Sequence, residues 1–372
     1  VIRSLLLVAL VALPACLLAQ PRDIPSEKGV LRVHTVAQGL EHPWAIAFLP
    51  DGRLLVTERP GRMRLVASDG SLSPPLTGVP EVRAQGQGGL MDVALSSAFA
   101  DDRLVYFSYS EPGEGNTQGT ALARARLADQ GLEDVEVIFR QVPKLRGHHH
   151  FGSRIVFADD GTLFLALGDR GERDRSQQLD SHVGTVVRIL PDGGVPADNP
   201  FVGRAGALPE IWSYGHRNQQ GAVLNPWTRA LWTHEHGPRG GDEINIPEAG
   251  KNYGWPVITY GREYHGPRIG TTQREGMEQP IHQWTPSIAP SGMAFHDHEG
   301  NPAWRGNLFV GALAGQHVAR LELDGSRVVH EERMLGELGE RIRDVRIGPE
   351  GDLYLATDSP RGRVLRVELV PF

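Results

Sequence analysis

The sequence predicts an all-β fold, a six-bladed β-propeller of four-stranded antiparallel blades, and three observations carry that reading. The first is turn content: 45 glycines and 27 prolines stand among 372 residues, about a fifth of the chain where roughly an eighth is ordinary. Each Gly or Pro inside a helix is costly, so a chain punctuated this densely holds few long helices. The second is a unit repeated six times, a turn followed by a short apolar strand. The third is the scarcity of 3.6-residue periodicity between the units, which a (β/α)8 barrel would need.

In chain order the units are these. Asp51-Gly52-Arg53 leads into Leu54-Leu55-Val56, Asp101-Asp102-Arg103 into Leu104-Val105-Tyr106, and Asp160-Gly161-Thr162 into Leu163-Phe164-Leu165. Asn225-Pro226-Trp227 precedes Leu231-Trp232-Thr233, Arg305-Gly306-Asn307 leads into Leu308-Phe309-Val310, and Glu350-Gly351-Asp352 into Leu353-Tyr354-Leu355. Most are followed by a loop and an alternating second strand, such as Met63-Arg64-Leu65-Val66 or Val187-Arg188-Ile189-Leu190. Short strands bounded by such turns are hairpin signals. Leading leucines roughly 45 to 77 residues apart match propeller blades carrying insertions. A β-sandwich would use the same strands without needing six similar units. The segment Val30 to Val36 reads as a strand that closes the ring against the last blade.

Charge and composition exclude several classes. With 38 Lys and Arg against 45 Asp and Glu, the formal net charge is −7. No basic stripe suits nucleic acid or an anionic membrane. A charged fraction of 22% and a hydrophobic fraction of 40% exclude disorder. At the N-terminus, Arg3 precedes an apolar run from Leu5 to Leu13, then Pro14-Ala15-Cys16 and a polar stretch from Gln20. Residues 1–20 therefore read as an export signal, leaving 21–372 as one propeller domain in the periplasm or outside the cell. Leu13-Pro14-Ala15-Cys16 also resembles a lipoprotein signal, in which the chain's single cysteine becomes a lipid anchor. That anchor would be its one contact with a membrane.

Four loop stretches concentrate polar chemistry, and propellers bind ligands on loops at one mouth of the channel. Gly147-His148-His149-His150-Phe151-Gly152 enters the strand before the third repeat. If extended, it turns His148 and His150 to one side. Asp169 ends the neighbouring strand, where a carboxylate can orient an imidazole as a general base; a solvated or metal-scavenging His tract is the plainer alternative. Gly215-His216-Arg217-Asn218-Gln219-Gln220-Gly221 suits binding of carboxylates or polarisation of a carbonyl. Glu235 to Asn245, with Lys251-Asn252-Tyr253-Gly254-Trp255-Pro256, sets carboxylates near glycine-freed carbonyls, the hard oxygens calcium prefers, although an exposed acidic turn reads the same. Arg341-Ile342-Arg343 puts two guanidiniums on one face if extended. P-loop, GxSxG, HExxH and CxxC motifs are absent.

In order and together, these stretches resemble the soluble PQQ-dependent aldose sugar dehydrogenases, relatives of soluble quinoprotein glucose dehydrogenase. The likeness runs from about Leu40 to Val367. It includes His42-Pro43-Trp44-Ala45, Gln87-Gly88-Gly89-Leu90, His150 with Asp169, the Arg217 and Glu235 stretches, Ala289-Pro290-Ser291-Gly292-Met293 and the segment from Arg341 to Gly351. The resemblance implies a six-bladed propeller that oxidises aldoses at the anomeric carbon to lactones and passes electrons to a small quinone or cytochrome. It implies His150 as general base, Asp169 as its orienting partner and Arg217 beside the quinone oxygen. Gln87, Asn218, Tyr264, Arg341 and Arg343 would bind PQQ. The Gly237 and Pro238 carbonyls would hold one calcium, and Glu243 with the Tyr253 carbonyl another. One departure stands out: Ala314 occupies a position where the family often has a lysine facing PQQ, with His317 nearby as a substitute. Two rivals are a calcium-dependent lactonase, which needs carboxylate or amide ligands converging on an exposed metal, and a propeller that only binds glycans.

Overall fold

In the computed structural model, which describes residues 20–372, six antiparallel sheets surround a central channel. The export signal and Cys16 lie outside the described residues, except for Gln20. The innermost strands of blades 1 to 6 are Pro43–Phe48, Leu90–Leu95, Gly152–Phe157, Gln219–Leu224, Pro290–Phe295 and Ile342–Ile347. Each touches the next and the last touches the first, so the ring is closed. The second strands begin at Leu54, Leu104, Leu163, Leu231, Leu308 and Leu353, the six leucines of the sequence repeat.

Four blades have four strands, but blade 1 has three and blade 6 has five. In blade 1 the outer position is held by a segment containing Pro74 and Pro75, which have no N–H to give a ladder. That segment still follows its neighbour, with Ser73 N–H donating to the Leu65 carbonyl (2.9 Å) and Leu76 N–H to that of Met63 (2.9 Å). Blade 6 gains strands from the N-terminal side: Gly29–Leu40 pairs antiparallel with Gly362–Pro371, and Arg22–Ser26 adds outside it. The closing strand expected at Val30 to Val36 is thus present and longer. Six apolar clusters fill the six interfaces between neighbouring blades, as where Met63 and Leu65 meet Phe107 between blades 1 and 2.

Every innermost strand breaks register with its neighbour near its start. A β-bulge adds a residue, bends the strand and re-aims a side chain. The residues displaced include Trp44, Met91, Asp92, Arg154, Gln220 and Arg343, and all of them turn up on the channel axis. Arg154 and Asp92 are ion-paired at 3.2 Å, and Arg154 and Asp344 at 2.8 Å. Arg346 contacts Asp344 (2.9 Å) and Asp92 (2.7 Å). The same carboxylates accept the backbone N–H groups of Ile46 and Ile155, and Arg154 donates to the carbonyls of Gln220 and Arg343. Beyond this cluster, toward the strand ends, the channel opens into a funnel of about 510 Å³ lined mostly by apolar residues, with Arg229, Asp297 and Arg346 among them.

Removing one partner of a buried ion pair strands the others. Asp344→Ala should therefore lower stability by about 3–5 kcal/mol, read by urea denaturation. Asp324→Ala, which breaks an exposed pair with Arg327, should leave the midpoint unchanged. Equal effects would contradict a structural role for the channel cluster.

Candidate active site

The residues at the strand starts converge on the mouth opposite the funnel. Gly152 pairs with Leu167, which brings the loop before one strand beside the loop after the other. Gly168 permits the approach, since a Cβ there would come within 2.0 Å of the His150 carbonyl. His150 has a left-handed φ of 55°, so the extended alternation expected of the His run does not hold. His148 instead contacts Gln118. His150 Nδ1 donates to Asp169 Oδ1 (2.6 Å), and its backbone N–H donates to Gln87 Oε1 (2.8 Å). Its Nε2 has no partner among the described residues.

Asp169 is buried and fully engaged: Oδ1 also accepts the Gly171 N–H and Oδ2 the Trp255 Nε1–H, both at 2.8 Å. Burial pushes its carboxyl up, but the His150 bond and the charges of His150 and Arg217 hold it below the usual carboxylate value. Burial pushes His150 below the ordinary histidine value, Asp169 pulls it back up, and Arg217 adds to the depression. A neutral imidazole held by its Nδ1–H is the form a general base needs.

Arg217 is buried, with its guanidinium 5.3 Å from the centroid of the Trp255 ring. It donates to the carbonyls of His236 and Gly237 (both 2.9 Å) and reaches the Tyr264 hydroxyl at 3.5 Å. Gly237, expected as a calcium ligand, thus already accepts an arginine N–H, while the Pro238 carbonyl accepts no hydrogen bond among the described residues. Tyr264 is exposed at the rim. Trp255 joins the two halves of the site, bonded to Asp169 on one edge and lying beside Arg217.

Above the channel cluster lies a cavity of about 220 Å³, lined by Trp44, Gln87, Asn218, Arg341 and Arg343 among others. Arg343 donates to Gln220 Oε1 (3.0 Å) and Asp358 Oδ2 (3.3 Å), and Arg341 to the same Asp358 oxygen (3.4 Å). The two arginines therefore share a face, as expected. Asp358 also binds His42 Nδ1 (2.7 Å). Although burial raises it, Arg343 and its other cationic neighbours hold its carboxyl far below the usual range. The Nε atoms of Arg217 and Arg343 are buried without a hydrogen-bond partner. The unpaired Arg343 donor, in a cavity also lined by Arg59 and Arg341, fits a ligand with several anionic oxygens, as PQQ has, and the one carboxylate of that lining, Asp358, does not make a site of convergent carboxylates for a metal. Ala314 is exposed on the loop beyond Leu313. His317 Nδ1–H donates to the Gly315 carbonyl (2.8 Å) within its own loop, and His317 does not line the cavity.

Behind Arg217, Glu235 and Glu243 face each other across paired strands. Glu235 accepts the Arg217 N–H, and burial raises its carboxyl to about 7. Desolvation and then the charge of Glu235 push Glu243 well above the usual value. Asn245 Nδ2 bridges the two carboxylates, leaving its buried Oδ1 without a partner. His216 stacks on Tyr253 at 4.7 Å and lies 3.5 Å from Glu235. Opposed carboxylates beside an orphaned amide oxygen fit a hard divalent cation.

Sequence reading missed Arg59, Gln220, Glu235, Trp255 and Asp358 as individual site residues. A signal was present for some of them. At one offset from the leading leucines of blades 1, 4, 5 and 6 stand Arg59, His236, Leu313 and Asp358, and all four line the cavity.

The profile of the Glucose / Sorbosone dehydrogenase family matches residues 40–366. The aldose sugar dehydrogenase YliI of Escherichia coli is 46% identical over 371 residues, covering 98% of each chain. A crystal structure of a glucose dehydrogenase superposes with a TM-score of 0.89 at 54% identity, covering 90% of this chain and 99% of that one. The PQQ-bound form of aldose sugar dehydrogenase from Streptomyces coelicolor gives a TM-score of 0.75 at 31% identity, covering 93% and 100%. With a match across nearly all of the propeller, the chain belongs to the glucose/sorbosone dehydrogenase family.

Proposed function

We propose that this chain is a PQQ- and calcium-dependent aldose sugar dehydrogenase that oxidises the anomeric carbon to a lactone and hands the electrons to an external quinone or cytochrome. The observation that carries the proposal is the His150–Asp169 pair standing beside Arg217 at the edge of a guanidinium-lined cavity. Relatives named for aldose or glucose oxidation, one of them PQQ-bound, support it. Export, with or without a lipid on Cys16, is the location that suits an external acceptor.

When bound, PQQ supplies a two-electron oxidant that takes hydride. Arg341, Arg343, Gln87 and Asn218 would hold it, with Tyr264 at the rim, and the Gly237 and Pro238 carbonyls would hold the calcium beside it. Glu243 and the Tyr253 carbonyl, with Glu235 adjacent, would hold the second calcium. His150 Nε2 takes the proton of the sugar's anomeric hydroxyl as C1 loses its hydride. Asp169 stabilises the imidazolium that results, and Trp255 keeps that carboxylate in place. Arg217 aims its donors where negative charge develops, a role that often dominates catalysis.

Purified protein reconstituted with PQQ and calcium should reduce a dye in the presence of several aldoses. Lactone hydrolysis without dye reduction would instead favour the lactonase. His150→Gln should cut turnover at least about a hundredfold while PQQ stays bound; lost PQQ with an unchanged rate per bound cofactor would refute the base assignment.

The pH dependence has a definite sign. A base must be neutral, so activity is full above the His150 pKa and is lost as pH falls through it. The acid limb of kcat/KM should lie below about 6.5. Asp169, Arg217 and His149 are the charged or titratable groups acting on this ring. Because Asp169 raises it, Asp169→Asn should move the limb to still lower pH while slowing turnover. A limb moved upward would contradict this electrostatic reading.

Calcium added to chelator-treated protein should raise Tm, and Glu243→Gln should remove most of that increase. An equal increase in the variant would place the cation elsewhere.

A further inference from the structure

Arg59 follows the second strand of blade 1, Leu54–Glu58, and its backbone is fixed from two sides. Its N–H donates to the His42 carbonyl (3.0 Å), and its carbonyl accepts the Leu90 N–H (3.0 Å) from blade 2. Gly89 makes that approach possible, since a Cβ there would lie 2.2 Å from the Arg59 carbonyl oxygen and 2.4 Å from its Cγ. The side chain is thus rooted at the cavity wall by the same Gln87-Gly88-Gly89 loop that presents Gln87.

Arg59 lines the cavity together with Arg341, Arg343 and Asp358. Arg341 and Arg343 each spend a donor on Asp358. The Arg59 side chain makes no hydrogen bond or ion pair with any described residue. Its charge nevertheless acts on both neighbours, helping to hold Asp358 ionised and opposing the charge on Arg343. Three guanidiniums around one carboxylate repel one another in a partly dry space, and an entering anion relieves that repulsion. Arginine's planar fork matches a carboxylate through two parallel N–H donors.

We propose that Arg59 is a third carboxylate-binding arginine of this cavity, the one whose donors are kept free for the ligand. The proposal rests on the reading of the site as a PQQ site and adds a residue to it. Arg341 and Arg343 are shared between the ligand and Asp358, whereas Arg59 has no competing protein acceptor. Its contribution is to affinity, and it is made at the expense of the unloaded protein, which carries the uncompensated charge.

The test is a titration of PQQ into the calcium-loaded full chain, followed by quenching of tryptophan fluorescence, with Trp44 in the cavity wall. Arg59→Gln should raise the Kd at least about tenfold and flatten its dependence on salt. The Tm of the PQQ-free variant should equal or exceed that of wild type, and Arg59→Lys should recover part of the affinity. Arg327→Gln, far from the cavity on an exposed pair, should bind as wild type does. Wild-type affinity and salt dependence in Arg59→Gln would overturn the assignment while leaving the PQQ reading intact. A lowered Tm accompanying weaker binding would also overturn it, in favour of a scaffolding role. If wild-type protein fails to bind PQQ, the proposed function falls and the role of Arg59 with it.

Discussion

Six strands that meet around an axis bring their backbones together where no sheet can satisfy them, and four charged side chains resolve this. Asp92, Arg154, Asp344 and Arg346 join blades 2, 3 and 6 directly. Through bonds to Ile46 and Gln220 they also reach blades 1 and 4. Buried ion pairs add little net stability over apolar packing, so their value here is positional. They fix how the inner strands stand relative to one another, and they close the channel beneath the cavity.

The register breaks at the start of every inner strand follow from the same crowding. Each adds a residue where strands converge, and the displaced residues include Asp92 and Arg154 of the cluster and Trp44, Met91, Gln220 and Arg343 of the cavity wall. The channel is consequently polar and cationic at one mouth and mostly apolar at the other. Around the cavity, charges are arranged by kind. Arginines gather near Asp358, while His150, held by Asp169 and with its pKa depressed by burial, stands next to Arg217. Trp255, bonded to Asp169 and lying beside Arg217, ties the base's carboxylate to that cation.

Much of this was legible in the sequence because it depends on local rules. The Asp-Gly turns and leading leucines located all six blades, and the Val30 to Val36 pattern located the closing strand. The ordered motifs singled out His150, Asp169, Arg217 and Arg343 as site candidates. What stayed hidden depends on departures from period. A bulge of one residue reverses which face a side chain takes, so alternation could not place Trp44 or Gln220. The left-handed backbone at His150 broke the alternation assumed for the His run. Pro74 and Pro75 removed an outer strand that counting alone supplied. Arg59 and Asp358 belong to no motif and show themselves only when the repeats are overlaid.

The account holds that the cavity has a carboxylate end, at Arg341, Arg343 and Asp358, and a reaction end, between Arg217 and His150. A crystal structure of the protein loaded with PQQ and calcium tests this most directly. The account predicts PQQ carboxylates against the arginine cluster and the quinone oxygens between Arg217 and His150 Nε2. Carboxylates at the histidine, or PQQ bound outside the cavity, would contradict it.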